Sequence, residues 1–358
     1  MKTALKLVEK GLVPKPFLRR GIRRLLRQRL AELADTFGPG PYDLPEGRAR
    51  LEAGLDAWIE HMRQAPVALV PEKANEQHYE VPARLYELCL GKHLKYSSGY
   101  YPTPETTLDE AEEAMLALTA ERARLADGQE VLELGCGWGS LTLYMAARFP
   151  QSRIVAVSNS ASQRAHILER AAERGLVNLE VITADMNSFD VEAHLPGRRF
   201  DRVVTVEMFE HMRNWEALLS RVRPWLRDTG LFFQHVFAHR HAAYPFEARD
   251  ESDWMSIHFF SGGMMPSHDQ LDRLDIPFVR EDQWEVSGEH YGRTSEDWLR
   301  NLERARDEVL PVLAETYGTE HAELWYHRWR VFFLACAELF AWDGGREWIV
   351  SHNLLRPA

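Results

Sequence analysis

The sequence predicts an α/β fold built on one mostly parallel sheet. Three observations carry this. Short apolar runs alternate with helix-length segments through the middle of the chain; one run passes through closely spaced glycines into a helix; and several runs end in an acid, an amide or a hydroxyl. A βαβ series reads this way, because each parallel strand needs a crossover segment to bring the chain back to the same edge.

Taken in order, residues 1 to 105 read as helical and irregular, punctuated by Gly38-Pro39-Gly40-Pro41 and Tyr101-Pro102-Thr103-Pro104. Val131-Leu132-Glu133-Leu134 suits a buried strand, and Leu141 to Ala147 a helix. Arg153 to Val157 is the second strand, Leu179 to Ala184 the third, Phe200 to Val206 the fourth and Gly230 to Val236 the fifth. Beyond them lie Gly/Met/Pro-rich loops, two helical stretches near 295–316 and 320–342, and a last apolar strand at Trp348-Ile349-Val350. The expected division is a helical cover over 1–105 and a main domain over 106–358, with substrate-binding insertions at about 241–342. There is no internal repeat and no low-complexity tract.

The turn after the first strand is Glu133-Leu134-Gly135-Cys136-Gly137-Trp138-Gly139-Ser140. A strand, a glycine turn and a helix bring backbone N–H groups up to a nucleotide-like ligand. A dinucleotide fingerprint needs its third glycine where this chain has Ser140. The E-x-G-x-G-x-G spacing resembles instead motif I of class I S-adenosylmethionine (SAM) methyltransferases, in which the acid meets the amino acid end of the ligand. That puts Glu133, Gly135 and Gly137 against SAM. The second strand ends in Ser158-Asn159-Ser160 rather than the acid of NAD enzymes, so Asn159 and Gln163 are expected at the ribose. Asp185, after strand three, suits the adenine amino group, with Met186 beside it. A tight turn with no ligand is the plainer reading of the glycines alone; the polar ends of the following strands argue against it.

With 358 residues, 45% hydrophobic and 27% charged, the chain has an ordinary globular composition and length for a large core. Its three cysteines, Cys89, Cys136 and Cys336, are far apart and form no metal-type spacing, which points to a reducing compartment and no metal. No apolar run approaches the roughly 20 residues of a membrane helix, and no signal-like segment follows Met1, so a cytoplasmic protein is expected. Residues 1–35 carry ten Lys/Arg against three acids, a charge of +7 that leaves −18 on the rest of a chain with net charge −11. Phe17, Leu18, Ile22, Leu25, Leu26 and Leu30 recur among the arginines at helical spacing. Such a helix can lie on an anionic membrane, but with so acidic a remainder the expectation is docking onto the protein's own body. Nucleic acid is not an expected partner: the isoelectric point is near 5.8 and no binding module is present.

Glu207-Met208-Phe209-Glu210-His211-Met212 follows strand four on the ligand side of the sheet. If a helical turn starts there, Glu207, Glu210 and His211 stand at i, i+3 and i+4 on one face. Two acids and a histidine beside a methyl donor suit an amine acceptor. An ammonium must lose a proton before it attacks; a histidine can take it and carboxylates can hold the cation. A satisfied helix-cap pair is the plainer alternative for Glu210 and His211.

From about residue 76 to 355 the sequence resembles the cyclopropane fatty acid synthase family, and within it the coclaurine N-methyltransferase branch. The resemblance rests on Tyr79-Glu80-Val81-Pro82, Lys95 to Tyr101, Thr106 to Glu112, the glycine turn, Phe209-Glu210-His211-Met212, Asp253-Trp254-Met255, Gly288-Glu289-His290-Tyr291 and Ala337-Glu338-Leu339-Phe340. It implies a class I SAM methyltransferase with a seven-stranded sheet, SAM as cofactor, and a small-molecule acceptor; a homodimer is compatible with it. Synthases of the family hold bicarbonate through a Cys, a Glu, a His and a Tyr. This chain keeps Glu210, His235 and Tyr291, has Ser98 at the Cys beside the cofactor, and has Glu207 where synthases have Gly. A carboxylate beside an acyl chain is costly, and beside an ammonium favourable, so the resemblance implies N-methylation of a small amine. Cys336 matches the synthases and reads more simply as a buried helix cysteine. Methyl or methylene transfer to an unsaturated phospholipid chain is the alternative enzyme, and a SAM-binding protein without catalysis the alternative class. Tyr79, Glu80, Tyr96, Trp254, Phe259, Phe260, Tyr291, Trp329 and Phe333 are expected around the acceptor, with ring faces suited to a cation; any one of these rings could equally be ordinary core.

Overall fold

A computed structural model describes residues 2–40, 42, 45–69, 81–248 and 253–358. The strands of the predicted βαβ series form where the apolar runs lie: β1 (Glu130–Leu134), β2 (Arg153–Ser158), β3 (Leu179–Thr183), β4 (Phe200–Val206) and β5 (Leu226–His239). After a separate two-stranded ribbon of β6 (Tyr244–Pro245) and β7 (Met264–Met265), the chain adds β8 (Phe278–Val286) and β9 (Trp348–Pro357) to make one sheet of seven, ordered β3-β2-β1-β4-β5-β9-β8. The first five pair in parallel and β9 runs antiparallel between β5 and β8. Strand order reverses between β1 and β4, so their carboxyl ends diverge there and leave the crevice in which open α/β sheets bind ligands.

Three departures from the sequence expectation have physical causes. β8, Phe-Val-Arg-Glu-Asp-Gln-Trp-Glu-Val, was not anticipated as part of the sheet and lies inside the stretch expected to be substrate-binding insertion. It is one of the sheet's two edge strands, where charged residues are tolerated, with Glu281 and Glu285 exposed and Arg280 and Asp282 half-buried. β9 is ten residues long, because Ser351, His352 and Asn353 are buried in mid-strand and interrupt its apolar pattern. The C-terminal helices number three rather than two: Gly288–Arg304, Arg306–Tyr317 and Ala322–Phe340.

The N-terminal cover consists of α1 (Lys2–Glu9), α2 (Lys15–Phe37), α3 (Pro45–Arg63) and α4 (Ala83–Cys89). Leu18, Leu26, Leu33 and Phe37 of α2 are buried. Its basic side reaches the C-terminal helices: Arg19 to Glu296 and Glu338 at 2.6 Å each, Arg23 to Glu338, and Lys15 to Glu303 at 2.7 Å. The basic helix is therefore docked on the acidic body. Among the described residues, no helix is long and apolar enough to cross a membrane.

Candidate active site

The carboxyl ends of β1, β2, β3 and β4 open into one cavity, lined at one end by Glu133, Gly135, Gly137, Asn159, Gln163, Asp185 and Met186. Gly135 must be glycine: its φ is +76°, and a Cβ would stand 2.5 Å from Met208 Cγ. At Gly137, φ is +52° and a Cβ would meet no protein atom within 4 Å, so its backbone fronts open cavity. Glu133 is buried and accepts from Thr142 Oγ1 at 2.5 Å. Burial in this apolar turn pushes its carboxyl up to about 8, against the pull of the Thr142 hydroxyl. A buried carboxylate that is short of charge partners, set beside open backbone, fits a ligand that brings a cation. Gln163 accepts from Ser158 Oγ at 2.7 Å, and Asp185 from Asn187 N at 2.8 Å. All seven residues expected to face the cofactor there line the cavity. Ser98 does not; it is fully buried, with its hydroxyl on Gly99 O.

The other end is built on the turn after β4. Glu207 takes a left-handed backbone, φ +50°. Its Oε1 accepts from Ser98 N at 3.1 Å and from His235 Nε2 at 3.2 Å, and its Oε2 from Tyr291 OH at 2.6 Å. Lys95 is a cation in this wall, buried, donating to Ser97 Oγ at 2.5 Å and Ser98 O at 2.8 Å. Burial lowers its pKa to about 8, partly offset by the charges of Glu207 and Glu112. The loop that carries Lys95 is gathered by Glu112, whose carboxylate accepts from the backbone N–H groups of Gly91, His93 and Lys95 at 2.9, 2.8 and 3.3 Å.

Glu207, Glu210 and His211 do not share one face. The turn is a single 3₁₀ turn over Phe209–His211, preceded by the left-handed Glu207, so α-helical spacing does not apply. Glu207 and His211 line the cavity, His211 stacked on Phe260 with ring centroids 4.5 Å apart. Glu210 lies behind the wall, with Oε1 accepting from Phe237 N at 2.7 Å and Oε2 without a partner among the described residues. Burial raises both carboxyls, and Glu210 is raised further by the charge of Glu207. The donors separate them: Glu207 accepts three and has the Lys95 ammonium near it, which favours its ionised form, while Glu210 accepts one and is the carboxyl pushed furthest up.

The expected acceptor residues divide. Tyr291 lines the cavity, and so do Tyr96 and Phe260. His235 is fully buried behind Glu207. Trp329 and Phe333 are core: Trp329 packs on Phe259 at 5.1 Å, and Phe333 on Trp298 at 5.6 Å. The same helix presents Phe332 and Cys336 to the cavity instead, a rotation that apolar content could not distinguish. Trp254 is half-buried and packs on Phe259 and His258, outside the cavity lining, and Phe259 is fully buried. Tyr79 and Glu80 lie outside the described residues. Lys95 and Phe237 were missed; a lysine inside a Tyr/Ser/Gly stretch was the available signal for the first. Cys336 is a cavity residue, not only a packed helix cysteine, with its thiol pushed up to about 12 by burial.

A family model for mycolic acid cyclopropane synthetase matches residues 70–345. The chain belongs to that family. Among its members the chain is similar to (S)-coclaurine N-methyltransferase of Thalictrum flavum subsp. glaucum, 36% identical over 356 residues, covering 98% of this chain and 94% of the relative. Cyclopropane-fatty-acyl-phospholipid synthase of Escherichia coli K12 is 28% identical over 268 residues, 74% of this chain and 63% of that protein. A crystal structure of coclaurine N-methyltransferase, bound to N-methylheliamine and S-adenosylhomocysteine, superposes with a TM-score of 0.91 at 35% identity and covers 99% of both chains. The chain is a SAM-dependent methyltransferase of the class I fold.

Proposed function

We propose that this family member N-methylates a small, aromatic, alkaloid-like amine. The observation that carries the reading is Glu207, a buried carboxyl group in the cavity wall that accepts from Ser98 N, His235 and Tyr291. An acyl chain would have to pass beside that charge, whereas an ammonium is drawn to it. The rings of His211, Phe260, Tyr291 and Phe332 around it suit a flat, cationic acceptor. The similarity to coclaurine N-methyltransferase, structure included, supports the same acceptor class.

Glu133 would meet the ammonium of the donor's amino acid end, Gly135 and Gly137 would let the protein backbone approach it, Asn159 and Gln163 would stand at the ribose, and Asp185 and Met186 at the adenine. SAM, when bound, supplies a methyl group on a cationic sulfur. Glu207 holds the acceptor as ammonium; His211, which also lines the cavity, takes the N–H proton and leaves a lone pair on nitrogen. That lone pair would displace the methyl from the sulfur, and the proton leaves through His211 to solvent. Positioning supplies much of the rate, since displacement at a methyl needs little further chemistry. Glu210, neutral, fixes the turn through Phe237 N. We place the enzyme in the cytoplasm, in keeping with its three free cysteines.

The test is a panel of secondary and tertiary benzylic amines and one of unsaturated phospholipid vesicles, each scored for S-adenosylhomocysteine formed. Turnover of the amines supports the reading. Turnover of the vesicles with none of the amines overturns it.

A further inference from the structure

Glu207 is the near end of a buried hydrogen-bond chain that leaves the site through the sheet. His235 Nε2 contacts Glu207 Oε1 at 3.2 Å, His352 Nε2 contacts His235 Nδ1 at 2.9 Å, and Arg122 NH1 contacts His352 Nδ1 at 2.8 Å. The two histidines are directly opposite one another on β5 and β9, fully buried, with ring centroids 4.6 Å apart. Arg122 is the last residue of the helix Leu108–Arg122; its guanidinium lies 5.1 Å from the ring centre of Trp284 on β8, itself the cross-strand partner of His352.

The chain has a forced direction. A guanidinium only donates, and a neutral imidazole donates from one nitrogen and accepts at the other. With Arg122 donating to His352 Nδ1, the His352 proton sits on Nε2 and is given to His235 Nδ1. The His235 proton then sits on Nε2 and is given to Glu207. Each link determines the next, and every donor points at the carboxylate.

We propose that Arg122 and His352 are positioning residues for the reaction: they fix the tautomer of His235, so that Glu207 receives a donor rather than a lone pair. Neither touches the cavity, and neither is needed to hold SAM. In the opposite tautomer His235 would turn a lone pair on Glu207 Oε1, and the carboxylate would take up a proton and lose its hold on a cation. The same direction makes the chain an anchor and not an exit for protons, because His235 Nε2 is already occupied on the side facing Glu207. The inference rests on the amine reading only for the role of Glu207; the tautomers stand apart from it.

The experiment uses full-length protein with ¹⁵N-labelled histidine and the variants Arg122→Ala, His352→Leu, His352→Gln and Arg122→Ala/His352→Gln. Imidazole ¹⁵N shifts report the tautomers directly, without substrate. In the wild type both histidines should be neutral with the proton on Nε2. Arg122→Ala should release this constraint on His352. Amine kcat/KM should fall about tenfold in Arg122→Ala and His352→Leu, the usual worth of one hydrogen bond to a charged group, with SAM affinity within about twofold. Glutamine can donate its amide N–H to His235 whether or not Arg122 is there. The double variant should therefore match His352→Gln rather than Arg122→Ala. If Arg122→Ala does not fold, as judged by SAM binding, the contrast of His352→Leu with His352→Gln carries the same test. Wild-type tautomers other than Nε2–H, or full kcat/KM in both Arg122→Ala and His352→Leu, would overturn the proposal. Correct tautomers in an enzyme that turns over no amine would count against the proposed function instead.

Discussion

If Glu133 meets the cofactor as proposed, SAM capture should depend on pH in a range where a surface carboxylate would not. The group is buried at the end of β1, and its pKa stands near 8. A raised carboxyl pKa means that the free protein holds Glu133 neutral below pH 8, while the cationic amino acid end of SAM is expected to meet the ionised form. Binding below that pH must therefore expel a proton. At about pH 7 roughly one molecule in ten is ionised and at about pH 6 roughly one in a hundred, so apparent affinity should weaken about tenfold over that unit, equivalent to about 1.4 kcal/mol. This window also keeps the ligand's own ammonium protonated, since an α-amino group titrates nearer 8. The assay is isothermal titration calorimetry with S-adenosylhomocysteine, which carries the same amino acid end, in buffers of different ionisation enthalpy. Close to one proton should be released per ligand, and Glu133→Gln should bind weakly with no slope. A flat affinity from about pH 6 to 7, or the same slope in Glu133→Gln, would refute the assignment.

Other variants probe the rest of the cavity. Gly137→Val should abolish SAM binding by calorimetry, because its side chain would project from a backbone at φ +52° into space where no protein atom stands within 4 Å, the space proposed for the ligand. His211→Ala should lower amine turnover by roughly 10²–10⁴-fold with SAM affinity kept, the range for a general base; full turnover with a mostly protonated amine would reduce His211 to an orienting residue. Tyr291→Phe keeps the ring stacked on Phe340 at 4.2 Å and removes only the 2.6 Å donor to Glu207. Amine kcat/KM should fall about tenfold or more, measured by initial rates, with little change in melting temperature. Deleting residues 1–35 should lower melting temperature and change amine capture more than SAM affinity. Anionic liposomes that pull down the intact chain and not the truncated one would show a membrane role beyond the docking seen with Glu296, Glu303 and Glu338.

The cofactor half was legible because its signals are local. A glycine turn, an amide after strand two and an acid after strand three are short-range requirements of backbone conformation and strand ends. The acceptor half depends on which way side chains point across long sequence separations. Tyr291 reaches Glu207 over 84 positions and His235 over 28, and spacing alone encodes neither contact. The resemblance to the family supplied these residues, but not their arrangement. It could not tell that Glu210 faces Phe237 N, or that Phe332 rather than Phe333 meets the cavity. The same holds for β8: charges that suit a sheet edge look like a loop until the neighbouring strand is known.

The left-handed backbone at Glu207 sets catalysis against stability at one position. A side chain there costs on the order of 1 kcal/mol relative to glycine, and this carboxylate is also buried. Comparing Glu207→Gly with Glu207→Ala, both without the carboxylate, would read the conformational part alone; the glycine variant should be more stable by about 1 kcal/mol. Selection for folding by itself would thus carry the position towards the glycine of the synthases, a change that one nucleotide can make. Charge and strain thus enter this turn together: a glutamate brings both, and a glycine neither.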